Sequence, residues 1–173
     1  MFGQMFRQLQ FIPPAQLRQS GRTWHVSYLG EGSIDAGGPF RDSITHMCSE
    51  LSSTMLPIFV PCANAQGFGE NQDAWLPSPG ARSSLHLSML AFVGKLMGVS
   101  MRAKHILNLD LPPFVWKLLV GSEVTLEDLR DVDRLTSDVI KDTRAVVCGV
   151  GVLLLLLLLC SCCCSRLRKL SLR

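Results

Sequence analysis

The side chains that could do covalent or metal chemistry in this chain are few and poorly gathered. Of seven cysteines, five (Cys148, Cys160, Cys162, Cys163, Cys164) crowd the C-terminal tail, and only Cys48 and Cys62 lie in the body, which is not the pattern of a disulfide framework. Cys48 falls on the apolar side of an expected helix and reads as core, while Cys62 follows Pro61 in a strand or its exit. His25, His46, His86 and His105 are scattered singly, and His46 with Cys48 would need two further ligands to hold a metal. Glu127, Asp128, Asp131 and Asp133 are close in sequence, but on a helix they point in several directions without a turn to enclose an ion, so a solvated face is expected. The glycine-rich stretch at residues 30–39, GEGSIDAGGP, admits two phosphate readings and fails both. A phosphate loop needs Lys-Ser or Lys-Thr where Pro39-Phe40 stands, and a dinucleotide fingerprint needs a third glycine that Gly30 and Gly32 do not have at the required spacing. The stretch is expected instead to be a tight turn into a helix, with Gly37-Gly38 supplying positive φ and Pro39 the first turn. No catalytic, cofactor-binding or metal-binding residue is assigned.

The elements that would position any chemistry are clearer. Residues 85–121, LHLSMLAFVGKLMGVSMRAKHILNLDLPPFVWKLLVG, begin as a helix with Leu85, Met89, Phe92, Val93, Leu96, Met97 and Ser100 on one face. Gly94 and Gly98 lie one turn apart in it, which predicts close approach of another backbone. A short extended piece at residues 106–111 meets Pro112-Pro113. Pro113 then opens a second helix in which Phe114, Trp116, Leu118 and Leu119 supply apolar bulk, with Gly121 placed to cap its end.

Upstream, MFGQMFRQLQ predicts a helix with Phe2, Met5, Phe6 and Leu9 on one face, stopped by Pro13-Pro14. WHVSYL at residues 24–29 alternates like a strand. Ile44, Met47, Cys48 and Leu51 mark the buried face of a helix that ends at Leu51, and LPIFVPC at residues 56–62 reads as a short buried strand followed by a polar loop. Downstream, Thr125 is an N-cap with Asp128 three residues on. It opens a helix expected over residues 126–142 with Leu129, Val132, Leu135, Val139 and Ile140 inward.

Two of these stretches carry a family resemblance. The order Phe92-x-Gly94-x-x-x-Gly98, a Leu-rich piece, then Trp116-Lys117-Leu118-Leu119 resembles the middle of the N-terminal lobe of HECT-type ubiquitin ligases. The second signature, about 50 residues earlier, is a strand followed by Gly30-Glu31, Asp35-Ala36-Gly37-Gly38, Phe40 and Asp42, which is similar to the way such lobes begin. The ligases that also carry RCC1-like repeats are the most similar. The resemblance implies an α+β fold, mainly α-helical with a few short strands. It divides the chain into a lead-in at residues 1–21, a partial HECT N-lobe at 22–142 and an unrelated hydrophobic tail at 143–173. For the full-length family it implies a ubiquitin-conjugating enzyme and ubiquitin as partners, and a cysteine that accepts ubiquitin as a thioester. That cysteine follows a small residue and precedes an aromatic one. None of the seven cysteines here stands in such a setting, so the chain alone is expected to be inactive, either as a fragment or isoform of a ligase or as a non-catalytic interaction protein.

Composition adds bounds. At 173 residues, with 47% hydrophobic and 18% charged, the chain has the makings of one globular domain, and a net charge of +3 is too mild to argue for nucleic acid. No secretory signal opens the chain, which suggests a reducing, cytoplasmic setting. Residues 145–164, AVVCGVGVLLLLLLLCSCCC, run 20 positions without a charge, enough to cross a bilayer as a helix. Two readings stay open for them: a membrane anchor whose cysteines invite acylation, giving a tail-anchored scaffold, or translated intron or frame-shifted sequence. The separated body is expected to be only marginally stable.

Overall fold

The computed structural model describes residues 1–19, 21–30, 32 and 36–150. Its first helix, α1 (Phe2–Leu9), buries Phe2, Met5, Phe6 and Leu9, the face that the sequence predicts. A short α2 (Pro14–Leu17) follows the prolines. The third helix, α3 (Gly38–Leu51), starts from Gly37 at φ 112° and buries Phe40, Ser43, Ile44, Met47, Cys48 and Leu51. Of the residues quoted for the resemblance, Glu31 and Asp35 lie outside the described residues, as do residues 151–164 of the tail.

The segment at residues 24–29 differs from its expectation. Its inward-outward alternation survives, Trp24, Val26 and Tyr28 being half-buried and their neighbours exposed, but it belongs to neither described strand. Trp24 is instead held by a ring contact with Phe40 at 4.8 Å. Alternation specifies a two-faced extended chain; a ladder also needs a second strand alongside, which the pattern cannot supply.

The described sheet is one antiparallel pair, β1 (Phe59–Pro61) and β2 (Trp75–Pro77), with Val60 opposite Leu76. Residues 106–111 are extended without forming a strand, yet the Trp75 N–H donates to Asp110 O at 2.8 Å, so they lean on the outer side of β2.

The core is built on α4 (Ser84–Ala103), which starts at the N-cap Ser83 and buries Phe92, Val93, Leu96, Val99 and Ser100. Leu85 stays 53% exposed, while Met89 and Met97 pack at the edge of the core. Phe92 meets Phe2 at 5.6 Å and Phe6 at 5.7 Å, both edge to face. Each such contact adds about 1 kcal/mol to the burial of the rings. The Lys95 ammonium donates to Gln10 O at 2.6 Å and Ile12 O at 3.2 Å, fastening the end of α1 to the middle of α4. By length and composition α4 could cross a membrane, but Phe92, Val93 and Leu96 are buried in one cluster with residues of α1 and α3, while Leu85, Leu87 and Met101 stay exposed. The close approach expected at Gly94 and Gly98 is not found: a Cβ at either position would meet nothing within 4 Å.

Candidate interaction surface

The region C-terminal to α4 carries polar chemistry inside and apolar side chains outside. Helix α5 (Pro113–Leu119) begins at Pro113 as the sequence predicts. It ends in a Schellman motif: Gly121 takes φ +69°, its N–H donates to Leu118 O at 3.3 Å, and the Ser122 N–H donates to Lys117 O at 2.9 Å. Only Val115 of this helix is buried. Trp116, Leu118 and Leu119, expected as core bulk, are exposed together with Val120. Seven residues make barely two turns: Phe114 packs against a small apolar cluster of Cys62, Ala74 and Val132, Val115 is buried, and the opposite face has no described element to cover it.

Thr125 and Asp128 close a capping box at the start of α6 (Leu126–Arg130). Asp128 is not part of a solvated face. It is buried, and its carboxylate accepts from Lys117 Nζ at 2.6 Å, from the Thr125 N–H at 2.8 Å and from the Thr125 hydroxyl at 2.8 Å. Lys117 above all, with the Thr125 donors, holds its pKa down at about 2. The clasp therefore ties α5 to α6 with one charge-assisted pair at the bend.

The helix expected over residues 126–142 is broken in two. Helix α6 stops at Arg130, residues 131–133 turn, and a new helix occupies residues 134–150. Asp133 starts it by accepting from the Thr136 N–H at 2.9 Å and the Thr136 hydroxyl at 2.6 Å. The break is also held from far away. Asn64, buried in a 3-10 turn (Ala63–Gln66), accepts from the Arg134 N–H at 2.8 Å and donates to Arg130 O at 3.1 Å and Glu70 O at 3.0 Å. Asn71 adds a bond to Asp131 O at 3.0 Å. Val132 is then the buried residue of this turn, while Leu135 and Val139, expected inward, are 56% and 63% exposed. The capping signal Asp133-x-x-Thr136 was visible in the sequence; the role of Asn64 had no local signal at all.

The cysteines of the body are shut in. Cys48 is 3% exposed on the inner face of α3, and burial pushes its thiol pKa up against a weaker opposing bond from the Asn108 backbone. Cys62 is 2% exposed and its thiol donates to Asn71 O at 2.9 Å. Cys148 is exposed on the helix at residues 134–150. The histidines lie apart. His46 faces Asp42 at 3.6 Å, His105 packs on Phe40 at 5.6 Å, and His86 Nδ1 is buried without a partner. Among the described residues no three His, Cys, Asp or Glu side chains are gathered for a metal ion. What the region offers is a rigid polar frame presenting Trp116, Leu118, Leu119, Val120, Leu135 and Val139 to solvent.

Comparison with known proteins places this frame. The chain is 37% identical over 135 residues to human E3 ubiquitin-protein ligase HERC2, covering 78% of this chain and 3% of that protein. It is 31% identical over 153 residues to human probable E3 ubiquitin-protein ligase HECTD4, covering 84% of this chain and 4% of that protein. Against E3 ubiquitin-protein ligase TOM1 of Saccharomyces cerevisiae it is 23% identical over 134 residues, 77% of this chain and 4% of that protein. The chain thus spans only a few per cent of the length of the curated relatives it matches. The HECT-domain (ubiquitin-transferase) family matches residues 45–147, which takes in β1, β2, α4, α5, α6 and the Asn64 junction. With more than half its length inside that match, the chain belongs to the HECT-domain family.

Proposed function

We propose that the chain works in ubiquitin transfer as scaffold rather than as carrier of ubiquitin: it supplies part of the lobe that a HECT ligase uses to support a ubiquitin-conjugating enzyme and a separate thioester-forming cysteine. The observation carrying this reading is that the two cysteines in the body, Cys48 and Cys62, are almost wholly buried, where neither can become an accessible thiolate. Incubation of the full chain with activating enzyme, a conjugating enzyme and ubiquitin tests it. No reductant-sensitive ubiquitin adduct should form on this chain; such an adduct, mapped to any of its cysteines, would overturn the reading. Added in excess to an active ligase of the family, the chain should slow that ligase by competing for its contacts.

A second reading concerns location. Val146, Val147 and Val150 are all more than half exposed along the helix at residues 134–150, and they lead into the Leu-rich run. This favours a cytoplasmic body attached to a membrane through residues 145–164. Carbonate extraction of the full chain and of a variant carrying Leu154→Arg and Leu157→Arg checks this reading. Equal extraction of the two removes it.

A further inference from the structure

A cleft of about 590 Å³ opens between α3 and the turn that ends α4, lined by Arg41, Ile44, Thr45, Lys104, His105 and Ile106. Its charges are of one sign: among the described residues no carboxylate lines it. The nearest acid along α3, Asp42, is engaged elsewhere, accepting from the Tyr28 hydroxyl at 2.7 Å and facing His46 at 3.6 Å.

Two placements here are unfavourable in themselves. Arg41 sits near the positively polarised start of α3, whose first turn contains no acid, and its guanidinium makes no ion pair with a described residue. Lys104 caps α4 in the left-handed region at φ +54°, where glycine or asparagine is normally found and a side chain is strained. The turn holds it there from both sides. The His105 N–H donates to Ser100 O at 2.9 Å and the Ser100 hydroxyl donates to His105 O, while the imidazole rests on Phe40. A cation at the end of α4 suits that helix, which explains a lysine there but not its pairing with Arg41 across a cleft. A bound dianion would pair the Arg41 and Lys104 charges at once.

From this convergence of Arg41, Lys104 and His105 in one cleft with no carboxylate among its described lining residues, we propose that it is a binding site for a phosphorylated side chain of a partner protein. The phosphoryl group sits between Arg41 and Lys104, His105 is within reach as a third donor, and the 93%-exposed Ile106 offers an apolar contact to the neighbouring residue of the partner. The volume exceeds what a phosphoryl group alone requires, which favours a peptide over a free ion.

Fluorescence anisotropy of the full chain in mild detergent, with a labelled phosphoserine peptide library and its serine counterpart, tests the site. The phosphorylated library should bind about tenfold more tightly or better, and Arg41→Gln and Lys104→Gly should each weaken it about tenfold, the scale of one hydrogen bond to a charged group. Lys104→Gly relieves the backbone strain and should melt no lower than the wild type, which separates loss of binding from loss of fold. Arg82→Gln, on an exposed loop outside the cleft, should leave binding unchanged. Equal binding of the two libraries, an equal loss with Arg82→Gln, inorganic phosphate competing at the concentration of the peptide, or binding confined to vesicles bearing phosphoinositides would each overturn the proposal.

Discussion

The Asn64 side-chain oxygen accepts the backbone N–H of Arg134 at 2.8 Å, so a residue in the first half of the chain starts the last described helix. The amide nitrogen of the same side chain holds the carbonyls of Arg130 and Glu70. Asn64→Ala leaves one donor and two acceptors without partners in a partly enclosed turn and should cost about 2–3 kcal/mol, read as a lower midpoint in urea. Asn64→Asp keeps the shape but points an oxygen at two carbonyl oxygens, so it should destabilise no less than the alanine. A silent Asp variant would show that shape alone holds the break.

Two glycines with opposite surroundings make a paired test. Gly69 has φ +86°, and a Cβ there would lie 2.8 Å from Asn64 Nδ2 and 3.3 Å from Arg134 Cβ. Gly69→Ala should therefore destabilise by roughly 1–3 kcal/mol through strain and displacement of the Asn64 amide. Gly94 lies inside α4 with open space around its Cβ position, so Gly94→Ala should raise stability by about 0.5–1 kcal/mol. Thermal melts followed by circular dichroism decide both.

Acid should loosen the α5–α6 bend. A carboxylate whose pKa is lower in the folded chain than in the unfolded one stabilises the fold above the unfolded value and ceases to do so as pH falls through the folded one. For Asp128 that window runs from its ordinary 3.8 down to about 2. Lys117→Met, which removes the leading cause of the depression, should flatten the stability profile across this range. Glu127, whose pKa is also lowered by Lys141, is well exposed, so its share should fade in high salt while that of Asp128 persists.

Thiol labelling should separate the cysteines by depth. Brief exposure of the native chain to iodoacetamide should alkylate Cys148 and spare Cys48 and Cys62, which should react fully in denaturant. Peptide mass spectrometry reads the pattern, and native labelling of Cys48 would contradict its burial on the inner face of α3.

What could be read in advance was local. The faces of α1 and α3, the Pro113 start and the Thr125-Asp128 box depend on residues three or four apart, and the structure repeats them. The misses depended on partners distant in sequence. Residues 24–29 alternate without joining a described strand, and the single helix expected over 126–142 ignored Asn64. Trp116, Leu118 and Leu119 were hydrophobic enough for a core, but seven residues of helix can turn only a narrow face inward. For the surface they form, it was the family comparison, not the spacing of residues, that gave a context.

The edge-to-face meeting of Phe92 with Phe2 and Phe6 sets a timetable for the newborn protein. Helix α1 is translated before α4, so Phe2, Met5, Phe6 and Leu9 stay bare until their counterpart on α4 leaves the ribosome, on the order of ten seconds later. During that wait the amphipathic α1 is a ready target for chaperones, and any pause in translation between α1 and Phe92 prolongs its exposure.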